Sequence, residues 1–224
     1  MKVPKGYFIT LEGGEGSGKS TLVKQLAEEL TKKGYDVVTT REPGGTKLGE
    51  EIRQWLLTNH NTFKIGTKAE LLLFLAARAQ HIEEVIRPAL KTGKIVICDR
   101  FNDSTLAYQG AARGLKMNET RKLCDIVCGE IQPQLTLFLD VDPNEGLRRA
   151  KKTIKKESLE GELDRIEDEK IEFHQMVREG FLALAKREPL RISRINANLP
   201  QIQVFKEALL TIDELLLLPA KQTK

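Results

Sequence analysis

The stretch Gly13-Gly14-Glu15-Gly16-Ser17-Gly18-Lys19-Ser20-Thr21 sets glycines around a single lysine and closes on two hydroxyls, matching G-x-x-x-x-G-K-[ST]. Each residue type has a use in holding a phosphate chain. Glycines reach the backbone angles that turn consecutive N–H groups inward around anionic oxygens, and a helix starting at the lysine adds the positive end of its dipole. Lys19 then supplies a point charge for the β and γ phosphates, and Ser20 a hydroxyl for Mg2+. Gly13 to Thr21 is accordingly the candidate ATP-binding loop. A flexible glycine turn with an incidental lysine is the bland alternative, and the apolar run before the loop and helical pattern after it argue against that reading.

Two further stretches carry charge suited to the same chemistry. "KIVICD" (94–99) leads into Arg100. An acid at the carboxyl end of a buried parallel strand lies beside the phosphate loop, so Asp99 joins Ser20 as a candidate holder of Mg2+. Arg100 offers a planar fork to a second phosphate. "REPGGT" (41–46) brings Arg41 and two glycines to the same sheet edge. The glycine spacing does not fit the G-x-G-x-x-G dinucleotide fingerprint, and no asparagine-lysine-x-aspartate segment reads guanine. ATP is the favoured donor.

These residues need a scaffold. Apolar, β-rich runs at 7–11, 36–40, 94–99, 135–141 and 191–196 alternate with helical periodicity at 19–33, 46–58, 67–91, 118–130, 143–155, 168–187 and 200–217. Runs such as Ile95-Val96-Ile97 fit strands covered on both faces, and strand alternating with helix predicts an α/β fold with a parallel sheet. No Pro/Gly/Ser-rich linker divides the 224 residues, which predicts one domain. Net charge is only +4, too small an excess to argue for nucleic acid. The N-terminus resembles no signal peptide and no run is long enough to span a membrane, so a cytoplasmic protein is expected. Cys98, Cys124 and Cys128 lack metal or redox spacing and fit small core residues, and His60, His81 and His174 fit surface or structural positions.

Taken together, "LEGGEGSGKST", "TREPGGT", "LLLFLAARAQH", "DRFNDSTLAYQG", "LDVDP" and "ELDRIE" run in the order of the thymidylate kinase family, P-loop nucleoside monophosphate kinases, over nearly the whole chain. The resemblance implies a single-domain P-loop NTPase fold with a five-stranded parallel sheet flanked by helices, a homodimer, and the reaction ATP + dTMP to ADP + dTDP. It assigns Phe74 to stacking on thymine and Arg78 to the base edge; by pattern alone, Phe74 fits a core position in a leucine-rich helix. Arginine suits thymine, whose O4 accepts where the N4 of cytosine donates. Ser104 and Thr105 match positions lining the base pocket, Tyr108 the ring that crowds C2′, and Gln109 a group near the acceptor. Arg53 and Arg100 match the clamps on the acceptor phosphate, with Arg41 beside them, and Glu15 the carboxylate near the sugar 3′-hydroxyl and metal. Glu12 and Glu42 lie close by with less definite roles.

The chemistry needs no strong base, because the attacking phosphate oxygen is already charged. Residues 148–170 carry many ions and few large apolar side chains, so they are expected to stay solvated or mobile. The resemblance makes them a lid over ATP, with Arg165 of "ELDRIE" the charge-stabilising arginine. Lys19, Glu15, Arg100 and Arg165 are thus the candidate catalytic residues. Two departures stand out. Gly16 occupies a position where some family members carry an arginine, and the lid is longer, so Arg149, Lys155 or Lys156 could share the role. Two rivals remain: a kinase for another nucleotide or nucleoside, and a nucleic-acid-dependent ATPase using the basic run at 151–156. That run lacks interleaved aromatics and is followed by acids.

Overall fold

The computed structural model describes residues 6–59, 63–157 and 164–217, with the backbone alone for 153–157. The elements in order are β1 (Tyr7–Glu12), α1 (Lys19–Lys32), β2 (Val37–Arg41), α2 (Lys47–Leu57), α3 (Thr67–His81), α4 (Arg87–Lys91), β3 (Ile95–Asp99), α5 (Asn102–Thr105), α6 (Met117–Cys128), β4 (Leu135–Asp140), α7 (Pro143–Glu157), α8 (Ile171–Arg187), β5 (Ile192–Asn196) and α9 (Gln201–Leu217). The strands form one parallel five-stranded sheet in the order β2-β3-β1-β4-β5, flanked by helices. Chain order reverses at β1, so the crevice beyond its carboxyl end is where an open α/β sheet binds ligands, and the glycine loop begins there.

Alternation along the strands divides the core. Ile9, Leu11, Ile95, Ile97, Leu137 and Leu139 pack with Leu22, Leu26 and Leu30 of α1 and with Val204, Ala208 and Ile212 of α9. Their neighbours Phe8, Val96, Cys98 and Phe138 belong to separate buried clusters. Apolar runs covered on both sides follow from this. Leu26 is fully buried, and truncating such a leucine to alanine costs about 2–5 kcal/mol. Cys98, Cys124 and Cys128 are buried and unpaired, and burial pushes the Cys124 thiol up to about 11. His81 and His174 are buried, whereas His60 lies outside the described residues.

Two helical segments depart from the expected pattern. The helix expected over 67–91 passes through a π-helical turn, Ile82–Ile86, between α3 and α4. Pro88 comes one residue after Arg87; it has no N–H, and its ring crowds the carbonyl one turn back, which a widened turn relieves. A second π-helical turn, Leu106–Ala112, continues α5 and carries Tyr108 and Gln109. Gly180 of α8 lets it approach closely, since a Cβ there would lie 3.1 Å from Ala107 Cα.

Candidate active site

Gly18, at φ 93°, turns the chain into α1, and no side chain caps that helix. The amides of its first turn therefore face the loop, in contrast to α2, where the Thr46 hydroxyl accepts from Gly49 N at 2.9 Å. Lys19 folds back so that Nζ donates to Gly14 O at 2.8 Å and Gly13 O at 3.1 Å. Burial and the nearby Arg100 pull its pKa down to about 8, against the carboxylates of Asp99, Glu15 and Glu12. Ser20 donates its hydroxyl to Asp99 Oδ2 at 2.6 Å. Strand register explains the meeting: Asp99 pairs with Leu11 on one side and Arg41 on the other, so all three chains end at one edge.

Arg100 lies at φ 69°, a left-handed conformation costly for a residue with a Cβ. Its guanidinium pairs with Glu15, donates to Gly13 O at 3.0 Å and lies 5.0 Å over the Tyr108 ring. Tyr108 donates to the other Glu15 oxygen at 2.9 Å. Burial pushes the Glu15 carboxyl up, but Arg100, Lys19 and Tyr108 outweigh it and hold it below the usual range. Beneath this layer Glu12 is fully buried and accepts from Phe101 N at 2.8 Å and from the Ser104 amide and hydroxyl. Burial, with Asp103 nearby, raises Glu12 to about 7.

The far wall is built on Arg78, only 2% exposed. It donates to Glu42 at 2.8 Å, Thr105 Oγ1 at 2.9 Å and Phe101 O at 3.0 Å, and lies 5.0 Å over the Phe101 ring. Glu42 also meets His81 Nδ1 at 2.9 Å, and Thr40 holds the other ring nitrogen at 2.6 Å. Arg53 donates to Pro43 O at 2.9 Å; burial and neighbouring Arg41 pull its guanidinium below its ordinary value. Between these walls lies a cavity of about 250 Å3. Phe74, Arg78, Thr105 and Gln109 line it together with Lys19, Ser20 and Asp99, and Glu15, Arg41, Arg53, Arg100, Ser104 and Tyr108 are also in its walls.

The thymidylate kinase family model matches residues 11–208. The chain is 61% identical to the thymidylate kinase of Protochlamydia amoebophila over 210 residues, 94% of this chain and 93% of that relative. It is 45% identical to the thymidylate kinase of Clostridium novyi, over 91% of this chain and 96% of the relative. The crystal structure of thymidylate kinase from Ehrlichia chaffeensis matches with a TM-score of 0.73 at 36% identity, covering 93% of this chain and 99% of that one. The chain belongs to the thymidylate kinase family. It phosphorylates dTMP to dTDP with ATP.

Within this thymidylate kinase fold, every residue expected to bind the acceptor lies in one cavity. Phe74 packs against the core cluster that contains Tyr108 and Phe181 and also lines the cavity. Arg165 departs from expectation. Its guanidinium donates to Glu70 at 2.6 Å and to Leu56 O at 2.8 Å, so the structure does not bring it to the phosphate loop. Nor does the whole charged segment stay solvated: Ile166 is buried and, with Asp164 and Glu167, lines the cavity. Arg149 donates to Glu145 at 2.7 Å and to Ala197 O at 2.8 Å, and the side chains of Lys155 and Lys156 lie outside the described residues. Sequence reasoning missed Glu70, Phe101, Asp164 and Glu167. A lone glutamate in a leucine-rich helix carries no motif, and only the tertiary contacts expose it.

Proposed function

We propose that the cavity holds dTMP and the glycine loop holds ATP, so that the two phosphate tails meet between Lys19, Arg53 and Arg100. One observation carries this reading: Phe74 and Arg78 line the same cavity as Lys19, Ser20 and Asp99. Phe74 stacks on thymine, Arg78 donates to the base edge from a position fixed by Glu42 and Thr105, and Tyr108 crowds the sugar. Arg53 and Arg100 hold the acceptor phosphate as bidentate forks.

An acceptor phosphate oxygen attacks the γ-phosphorus while its bond to the β-phosphate oxygen breaks, releasing ADP. No proton must be removed from the nucleophile, so alignment and neutralisation of charge do the catalytic work. Lys19 is desolvated, which strengthens its pull on the departing phosphate. Glu15, pinned by Arg100 and Tyr108, orients those groups and accepts from the sugar. Ser20 and Asp99 fit a hard cation, being oxygen donors 2.6 Å apart, and would hold Mg2+. Mg2+ when bound neutralises charge on the phosphate oxygens.

The same reading takes the whole chain as one kinase domain with 148–170 as a lid, working in the cytoplasm, a reducing compartment that suits three unpaired cysteines. It also takes the enzyme as a homodimer. Helix α3 packs against both α2 and α6, and these helices expose Leu48, Trp55, Leu72, Leu123 and Ile126. Such apolar exposure suits an interface between copies; sedimentation of Ile126→Glu against the unaltered protein checks it, a dimer giving way to monomer.

A crystal structure with dTMP tests the site assignment. The reading predicts thymine on Phe74 with the phosphate between Arg53 and Arg100. A phosphate placed away from both arginines would overturn it.

A further inference from the structure

Glu70 of α3 is 1% exposed, yet it gathers three cationic or amide groups from separate parts of the chain. Gln109 Nε2 donates to it at 2.9 Å, Arg113 Nε at 3.2 Å and Arg165 at 2.6 Å. Gln109 is a cavity wall. Arg165 belongs to the turn that contributes Asp164, Ile166 and Glu167 to that cavity. Arg113 in turn pairs with Glu169, at the end of the same turn, and lies 4.5 Å over the Phe173 ring.

The turn is shaped for this docking. Asp164 Oδ1 accepts from the amides of Ile166 and Glu167, both at 2.8 Å, which folds the segment tightly. Arg165 N donates to Leu57 O at 2.9 Å and its Nε to Leu56 O at 2.8 Å. These are final carbonyls of α2, groups that a helix leaves without intrahelical partners. Backbone bonds thus bring the turn to α2, and the Glu70 carboxylate fixes its guanidinium. Although burial pushes Glu70 up, Gln109, Arg113 and Arg165 hold its carboxyl below the ordinary range, so it stays charged. Removing that charge would leave two guanidiniums facing each other in a half-buried site without the anion between them.

We propose that Glu70 is a positioning residue which, through Arg165 and Arg113, docks the 164–169 turn as a wall of the acceptor pocket, and that Arg165 is its latch rather than a cation for the transferring phosphate. This rests on the assignment of the cavity to dTMP. It makes the turn part of acceptor binding, because the face that carries Ile166, Asp164 and Glu167 is oriented only while the latch holds.

Steady-state kinetics of Glu70→Gln, Arg165→Gln and the double variant, with dTMP and ATP varied separately and thermal unfolding measured alongside, tests the proposal. Each single variant is expected to raise KM for dTMP about fivefold to tenfold, with KM for ATP within about twofold and kcat within about threefold. The double variant is expected to match the singles, since both break one unit. Arg165→Lys, which keeps the charge and loses the fork, falls between. A drop in kcat of about 100-fold for Arg165→Gln at unchanged KM values would overturn the proposal by making Arg165 act on the reacting phosphate. Unchanged KM for dTMP in folded variants would overturn it as well. Should Glu70→Gln fail to fold, Arg165→Gln carries the test alone, being partly exposed and leaving Arg113 to pair with Glu70. Failure of the cavity assignment is separable, because a crystal structure of the unaltered enzyme with dTMP would then place the nucleotide outside the cavity.

Discussion

Arg100 and Glu15 form an ion pair at the junction of the phosphate loop and the acceptor cavity, with Tyr108 bonded to the second Glu15 oxygen. The pair ties a residue after β3 to one after β1, so the donor and acceptor halves of the site share one charged joint. Arg100→Met leaves Glu15 buried without its cation, a loss of about 3–5 kcal/mol where a buried pair is broken. Phosphoryl transfer is expected to fall by at least about 100-fold. Initial-rate measurement of ADP release checks it, and activity within tenfold of the original would contradict the role.

Lys19→Ala removes the charge proposed for the β and γ phosphates and leaves Phe74, Arg78, Thr105 and Gln109 of the same cavity in place. Turnover is expected to fall by about 1,000-fold or more, by analogy with other single charge-stabilising groups. Binding of dTMP, followed by titration calorimetry, should stay within about threefold. Loss of dTMP binding together with turnover would mean the two halves are not separable in this way.

Glu12 supplies a pH signature. Its folded pKa, about 7, lies above its ordinary 4.5, so the native state binds more protons than the unfolded one between those values. Stability contributed by the protonated group is present below about pH 4.5 and is lost as pH rises through 7, by up to about 3 kcal/mol. Glu12→Gln removes this dependence. Urea unfolding at pH 5 and pH 8 should show the variant gaining on the original protein at the higher pH; a gap independent of pH would refute it. Lys19 runs the other way: depressed to about 8, its charged form is disfavoured by folding, so stability rises with pH between about 8 and 10.5.

Gly16 marks where α7 meets the loop. At φ +62° its added Cβ would lie 1.9 Å from Gly146 O, a backbone atom that cannot swing aside. Gly16→Ala is expected to cost about 1–3 kcal/mol from overpacking, with strain at positive φ added, and to raise KM for ATP as α7 is pushed off. Urea unfolding with ATP kinetics checks both, and an unchanged midpoint would contradict the contact. The same geometry accounts for the departure at this position: with α7 packed here, an arginine at 16 has no room.

How legible all this was depended on range. The glycine loop, Asp99-Arg100 and the strand runs carry local patterns that translate directly into position, because a parallel sheet brings successive strand ends to one edge. Phe74, Arg78, Ser104 and Tyr108 needed the family resemblance, since a helix in the sequence does not say which face meets a cavity. The docking of the 164–169 turn was not legible, because charge composition suggested solvent for 148–170 as a whole and nothing local marks Glu70 of α3 as the partner of Arg165. The π-helical turns escaped too: widening by one residue leaves no mark on periodicity beyond Pro88 itself.

The central claim is that the cavity selects a thymine nucleotide and sets its phosphate before ATP. ADP release across a panel of dTMP, dUMP, CMP and AMP tests it most directly. The site predicts fastest turnover with dTMP and slower use of dUMP, which lacks one methyl worth about 1–3 kcal/mol. Preference for CMP or AMP would contradict the roles given to Phe74 and Arg78.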